Sequence, residues 1–97
     1  MESQNIVTAL TALAQPSRLA VFRLLVQTGG QGMPAGKIAE TLDIPPSSLS
    51  FHLKELHYAG LVTQKQDGRF LIYSANYARM KAVISYLTEN CCNGESC

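Results

Sequence analysis

The dipeptide Asp67-Gly68 separates two runs of strand-forming residues, LVTQKQ and RFLIYSA, in a chain of 97 residues. Asp-Gly between two such runs is the strongest short-range signal of a β-hairpin, because it suits the tight turns that join antiparallel strands. The segments on both sides of this hairpin show the apolar spacing of helices. The sequence therefore predicts a mainly α-helical domain that carries a single β-hairpin.

Four helices are predicted before the hairpin and one after it, which gives the order ααααββα. Pro16 suits the first position of a helix, because its missing N–H would be unpaired there in any case, and Gly29-Gly30 ends that helix. The predicted helices are 4–14, Pro16 to Gly29, AGKIAETL, Pro46 to Gly60 and Tyr77 to Glu89. Their apolar positions at helical spacing are Ile6, Val7, Leu10, Leu13, Leu19, Phe22, Leu25, Val26, Ile38, Ala39, Leu42, Leu49, Leu53, Leu56, Met80, Val83, Ile84 and Leu87.

The composition limits the functional classes. With 46% hydrophobic and 15% charged residues the chain can form a core. No apolar run approaches the roughly 18 residues that span a membrane, and the start, MESQNIVTALTALAQ, lacks the features of a signal peptide, so we expect a cytoplasmic protein. A net charge of +1 neither proves nor excludes a nucleic-acid partner. The sequence shows no recognisable set of a catalytic nucleophile, base and acid, so we do not expect an enzyme.

Two short helices, a tight turn and a hairpin together describe a winged helix–turn–helix. On the fourth helix, Leu49, Leu53 and Leu56 form the core face, while Phe51, Lys54 and Tyr58 fall on the opposite side. An outward phenylalanine suits a DNA major groove, where its ring can meet a thymine methyl group. Lys65 and Arg69 flank the hairpin tip, where a wing would touch the DNA backbone or minor groove. The predicted DNA-binding residues are Ser47, Ser48, Ser50, Phe51, Lys54, Lys65 and Arg69.

The stretches ALAQPSRLAVFRLL, IAETLDIPPSSLSFHLKELHYAGLV and GRFLIYSAN resemble the ArsR/SmtB family of metal-sensing transcriptional repressors, over about residues 7 to 87. The segment from Ser50 to Val62 is the most specific part of the likeness. The resemblance implies a homodimer joined by its first and last helices, with two recognition helices in successive major grooves of an operator. It also implies repression that an inducer relieves. The predicted interface residues are Ile6, Leu10, Val83, Ile84 and Leu87.

Two inducer sites that the family uses are missing from this sequence. The third helix, GKIAETLD, has no cysteine where some arsenic sensors carry C-x-C-x-x-C, and the last helix has no His or Asp for a zinc site. His52 and His57 lie at the edges of the core face of the fourth helix. Because His52 lies near Leu53 and Leu56, we interpret it as a hydrogen-bonded structural residue. Neither histidine has a second His or a carboxylate at metal-ligand spacing, so we do not expect either to bind a metal.

All three cysteines of the chain, Cys91, Cys92 and Cys97, lie in the last seven residues, so we divide the chain into a domain over residues 1–90 and a tail over residues 91–97. Three thiolates suit a soft ion that accepts three sulfurs, such as As(III), with Sb(III) as a further candidate. The tail also resembles that of arsenite-responsive repressors whose cysteines follow the last helix. Asn90 and Asn93-Gly94 favour a turned backbone that could bring the thiols of one chain together.

The expected function is therefore a repressor that needs no cofactor to bind operator DNA and releases it when As(III) binds the tail. Two alternatives remain on the same scaffold: a thiol redox sensor, in which Cys91 or Cys92 is oxidised against Cys97, and a sensor of cadmium, lead or zinc. A metal-carrier protein is the alternative from another class, and it would show no salt-sensitive affinity for DNA.

Overall fold

The computed structural model describes residues 1–95, in which five α-helices and a three-stranded antiparallel sheet form a winged helix–turn–helix. The prediction of this fold is confirmed. The elements are α1 Ser3–Leu13, α2 Pro16–Thr28, β1 Met33–Pro34, α3 Ala35–Leu42, α4 Pro46–Tyr58, β2 Val62–Asp67, β3 Phe70–Ala75, α5 Tyr77–Thr88 and a 3₁₀ turn over Cys91–Gly94.

The helix ends follow from local chemistry. Pro16 and Pro46 occupy first-turn positions, where a missing N–H removes no hydrogen bond. Within residues 1–95, two side chains cap helices: the Gln15 side chain accepts a hydrogen bond from the backbone N–H of Arg18, and Asn76 Oδ1 accepts one from the backbone N–H of Arg79. These signals are encoded within a few residues, which explains why the sequence predicts the helices closely.

The core lies where α1, α2, α3 and α4 meet and where the base of the hairpin closes over them. Its buried residues are Ile6, Ala9, Ala12, Val21, Phe22, Leu25, Ile38, Ala39, Leu49, Leu53, Leu56, Ala59, Leu61, Val62, Ala75 and Val83. The core face predicted for α4 is confirmed. Leu19, predicted at core spacing in α2, is exposed, and Val21 is buried in that helix.

The sheet has the order β1-β3-β2, and β1 was not predicted. Met33 and Pro34 pair with Tyr73 and Ile72 of β3. The hairpin was placed correctly, but its loop lies one residue later than predicted. Asp67 pairs with Phe70, so Gly68 and Arg69 form the two-residue loop. Gly68 has φ 61° and Arg69 has a negative φ, which is the pattern of a type II′ turn.

Within residues 1–95, no single helix is both long enough and apolar enough to cross a membrane. Only α1 and α2 taken together, which are bent by 101° at their junction, have the length and composition of a membrane-spanning segment.

Candidate DNA-binding surface and cysteine tail

The helix–turn–helix consists of α3, the turn at residues 43–45, and α4. Asp43 ends α3 in the left-handed conformation, with φ 53°, and the N–H of Ile44 donates to the carbonyl of Ala39. Pro45 and Pro46 then start α4. Ile38 from α3 and Leu49 from α4 are buried together in the core, which fixes the angle between the two helices. The turn therefore presents the N-terminal half of α4 to solvent.

The outward face of α4 carries five of the predicted DNA-binding residues, and all of them are exposed: Ser47, Ser48, Ser50, Phe51 and Lys54. Phe51 is 54% exposed, which leaves a large apolar ring in water in the absence of DNA. No side chain of residues 1–95 caps the N-terminus of α4. Its first N–H groups are therefore available to a DNA phosphate, which the helix dipole also attracts.

Lys65 on β2 and Arg69 in the hairpin loop are exposed as predicted. We call residues 65–70, at the end of the hairpin, the wing tip. Gln66 Nε2 donates a hydrogen bond of 2.9 Å to the carbonyl of Gly68, which braces the loop. The sequence analysis did not single out Phe70, which is 62% exposed at the wing tip. In the sequence, Phe70 looks like any other residue of a β-strand. Only the register of the hairpin shows that it lies next to the loop.

Of the two histidines of α4, His52 differs from the expectation that it is hydrogen-bonded. His57 is exposed. His52 is half-buried, but its Nδ1 atom is buried and has no hydrogen-bond partner within residues 1–95. The interpretation of His52 as a hydrogen-bonded residue is therefore wrong for this atom. The ring instead lies beside Phe51, with the ring centroids 5.9 Å apart.

The predicted interface residues divide into two groups. Ile6 and Val83 are 3% and 6% exposed, because they belong to the core of their own chain, so their assignment to an interface is corrected here. Leu10, Ile84 and Leu87 are exposed, and α1 and α5 contact each other. Val7 on α1 extends this exposed set. We call Val7, Leu10, Ile84 and Leu87 the apolar face of α1 and α5.

The tail leaves the helical conformation immediately after α5. Asn90, Cys92 and Asn93 have φ values of 58°, 56° and 53°, and Gly94 has φ 83°. This left-handed run produces the turned backbone that the asparagines and glycine predict. Cys91 lies at the surface, and Cys92 is disulfide-bonded.

Cys97, the third predicted ligand, lies outside the described residues. Within residues 1–95, no group of three or more His, Cys, Asp and Glu residues is placed to hold a metal ion. A site with three thiolates needs Cys97 or a second subunit. It also needs Cys92 as a reduced thiolate, because a disulfide sulfur is not the anionic ligand that a soft ion prefers.

Comparison with known proteins gives the same fold and a regulatory function. The family described as "Helix-turn-helix domain" matches residues 13–65. The transcriptional repressor SdpR of Bacillus subtilis (strain 168) is 33% identical over 76 residues, which cover 78% of this chain and 81% of SdpR. ArsR of Halobacterium salinarum, which is named as a putative arsenical resistance operon repressor, is 34% identical over 67 residues, covering 69% of this chain and 51% of that protein.

Among solved structures, the homodimeric winged helix–turn–helix DNA-binding domain Mb0332 from Mycobacterium bovis matches with a TM-score of 0.71. The match covers 90% of this chain and 81% of that chain at 24% identity, so the likeness concerns the fold.

Proposed function

Because this chain belongs to the ArsR family of winged helix–turn–helix transcriptional regulators, and is a DNA-binding repressor rather than an enzyme, we propose that As(III) is the inducer that releases it from operator DNA. Sb(III) is a further candidate. The ligands in this proposal are the thiolates of Cys91, Cys92 and Cys97. One observation carries the proposal: every cysteine of the chain lies within its last seven residues.

The chemistry of the donor set supports a soft trivalent ion. As(III) accepts three sulfurs in a pyramid, whereas zinc in a structural site takes four ligands and would need a carboxylate, water or a second subunit. The turned backbone after α5 supports a site within one chain, because a left-handed run at Cys92, Asn93 and Gly94 turns the chain away from the axis of α5 instead of continuing the helix. Two such sites would then be present in each dimer.

The homodimer is part of the same proposal. The apolar face of α1 and α5 leaves four large aliphatic side chains in water on neighbouring helices, and a second copy would cover them. The homodimeric state of Mb0332, which has the same fold, supports this arrangement. A two-fold dimer would present two copies of α4 to successive major grooves of a palindromic operator.

The test begins with DNA that the reduced protein itself selects from a random library, because the operator is unknown. Fluorescence anisotropy of this DNA is then followed while arsenite, antimonite, cadmium, lead or zinc is added. We expect release by arsenite at concentrations at which the divalent ions have no effect. The control is a variant with all three cysteines changed to serine, which should bind the DNA with wild-type affinity and remain bound in arsenite. Release of that variant by arsenite would disprove the proposed site.

A thiol redox sensor is the second candidate, and the disulfide-bonded state of Cys92 favours it. In this mechanism hydrogen peroxide oxidises two thiolates to a disulfide and is itself reduced to water. The anisotropy experiment distinguishes the two candidates when peroxide is added to one arm. Release by peroxide, reversed by a phosphine reductant, together with no response of the reduced protein to arsenite, would support the redox sensor and contradict the arsenite sensor.

A further inference from the structure

The wing tip presents an aromatic ring to solvent. Phe70 is the first residue of β3 and pairs with Asp67, the last residue of β2, so it stands next to the two-residue loop. Its side chain is 62% exposed, more than the 54% of Phe51 on the recognition helix α4. This exposure leaves a large apolar ring at a protruding tip accessible to a partner.

The register of the hairpin gives the face on which this ring lies. Paired residues of an antiparallel hairpin share a face, and successive residues alternate. Val62 and Ala75 are a buried pair, which defines the inner face. Lys65 lies three residues from Val62 and Phe70 lies five residues from Ala75, so both are on the outer face. The aromatic ring and the ammonium group therefore point to the same side of the wing.

The surroundings of Phe70 suit DNA better than an apolar partner. Arg69 precedes it in the loop, and Lys65 shares its face, so two cations flank the ring. The carboxylate of Asp67 stands directly opposite, which leaves the tip with a net charge of only +1 among these groups. A tip with so small a net charge offers few phosphate contacts. An apolar wedge between cationic flanks is the arrangement with which proteins enter a minor groove and unstack a base step.

The wing is also continuous with the DNA-reading surface. Only three residues separate the end of α4 at Tyr58 from the start of β2 at Val62. The wing is therefore joined directly to α4, and an α4 seated in a major groove would carry the wing with it.

We propose that Phe70 is a specificity-determining wedge that enters the minor groove beside each half-site and partly unstacks one base step. Pyrimidine–purine steps such as TA open most easily, so the repressor would select operators that carry one at the wing position without any hydrogen bond to its bases. The inference deepens the DNA-binding function and is independent of the inducer.

The test uses DNA selected by the wild-type protein, with the wing position located by minor-groove footprinting. Two duplexes are compared, one with TA at this step and one with AA. We expect Phe70→Ala to bind the TA duplex roughly tenfold more weakly and to lose most of the wild-type preference for TA over AA. Phe70→Leu, which keeps an apolar wedge, should retain most of the preference. Leu71→Ala, on the inner face of the same strand, is the matched control and should behave as wild type.

A second measurement follows the unstacking itself. With 2-aminopurine at the wing step, wild-type protein should raise the fluorescence and Phe70→Ala should not. Three results would overturn the proposal: no loss of affinity in Phe70→Ala, an equal loss on the TA and AA duplexes, or a change of oligomeric state in Phe70→Ala, which would assign the ring to a protein contact. Circular dichroism of the variants checks that they are folded.

Discussion

Replacing Leu87 by aspartate is expected to separate the proposed dimer without unfolding the chain. Leu87 is 59% exposed near the end of α5, whereas Val83, one turn earlier, is 6% exposed and belongs to the core. An aspartate at Val83 would bury a charge within its own chain and would unfold it. At Leu87 the single chain tolerates the carboxylate, because this position is exposed to water in the single chain.

The magnitude follows from the exposed fraction. Full burial of a leucine side chain stabilises by about 1.5–3 kcal/mol, so covering the exposed part of Leu87 contributes about 1–2 kcal/mol. A two-fold interface contains the residue twice, which gives about 2–4 kcal/mol for the dimer. The dimer dissociation constant should therefore rise roughly 30- to 1,000-fold, before any added cost of placing two carboxylates in the interface.

Sedimentation equilibrium measures this constant, and thermal unfolding of the monomer serves as the check on folding. The matched control is Ser85→Asp, which adds the same charge to the same helix about 160° away from Leu87. We expect Ser85→Asp to dimerise as wild type does. Equal dissociation constants for the Leu87→Asp and Ser85→Asp variants would refute the assignment of the interface to the apolar face of α1 and α5.

The remaining predictions concern DNA affinity and stability. Lys54→Ala, Lys65→Ala and Arg69→Ala should each weaken binding to all sequences and reduce the slope of log K against log salt by about 0.9 for each phosphate that the protein no longer neutralises, measured by anisotropy at several salt concentrations. Phe51→Ala should cost about 1 kcal/mol on the selected operator and relax the preference at one base pair, measured on operators changed at single positions. Tyr77→Phe should lower the free energy of unfolding in urea by about 1 kcal/mol, because the hydroxyl donates a 3.0 Å hydrogen bond to a carbonyl near the end of α2.

The parts of the fold that the sequence predicts are those with local signals. The proline at the start of α4 and the leucine pattern that follows it lie within one helix. The face of α1 was harder to predict, because its buried side includes Ala9 and Ala12. Alanine is a weak hydrophobic signal, yet its small side chain allows close packing, so Val7 and Leu10 are left outside. Strand β1 could not be predicted from the sequence, because it consists of only Met33 and Pro34 and is defined by its pairing with β3.

More of the DNA-binding surface than of the tail could be predicted from the sequence. An outward face on α4 follows from the helical period once its core leucines are known. The exposure of Phe70 depends on the hairpin register, which the dipeptide Asp67-Gly68 placed one residue too early. The arrangement of the three thiols depends on the backbone conformation of the tail, which begins with the left-handed Asn90. No periodic pattern in the sequence encodes that conformation.

The contacts at the start of α5 suggest how an ion in the tail could act on the recognition helix. Asn76 Nδ2 donates a 2.9 Å hydrogen bond to the carbonyl of Gly60, and the N–H of Asn76 donates a 2.8 Å bond to the carbonyl of Leu61. The guanidinium of Arg79 lies against Gly60, where an added Cβ would be 2.9 Å from its Cζ atom. The first turn of α5 is thus fastened to the segment that directly follows α4, and the tail begins at the other end of the same helix.

On this basis we expect Asn76→Asp to bind arsenite normally but to release DNA poorly. The carboxylate keeps the cap of α5, yet it cannot donate to the Gly60 carbonyl, so the helix stays folded while one of its links to the segment after α4 is lost. For wild type, a coupling of about 1–3 kcal/mol would lower operator affinity roughly 5- to 150-fold, and DNA must weaken arsenite binding by the same factor. Both factors should fall together in Asn76→Asp, measured by anisotropy and by calorimetric titration of arsenite with and without DNA. A variant that binds arsenite and releases DNA as wild type does would show that the coupling takes another path.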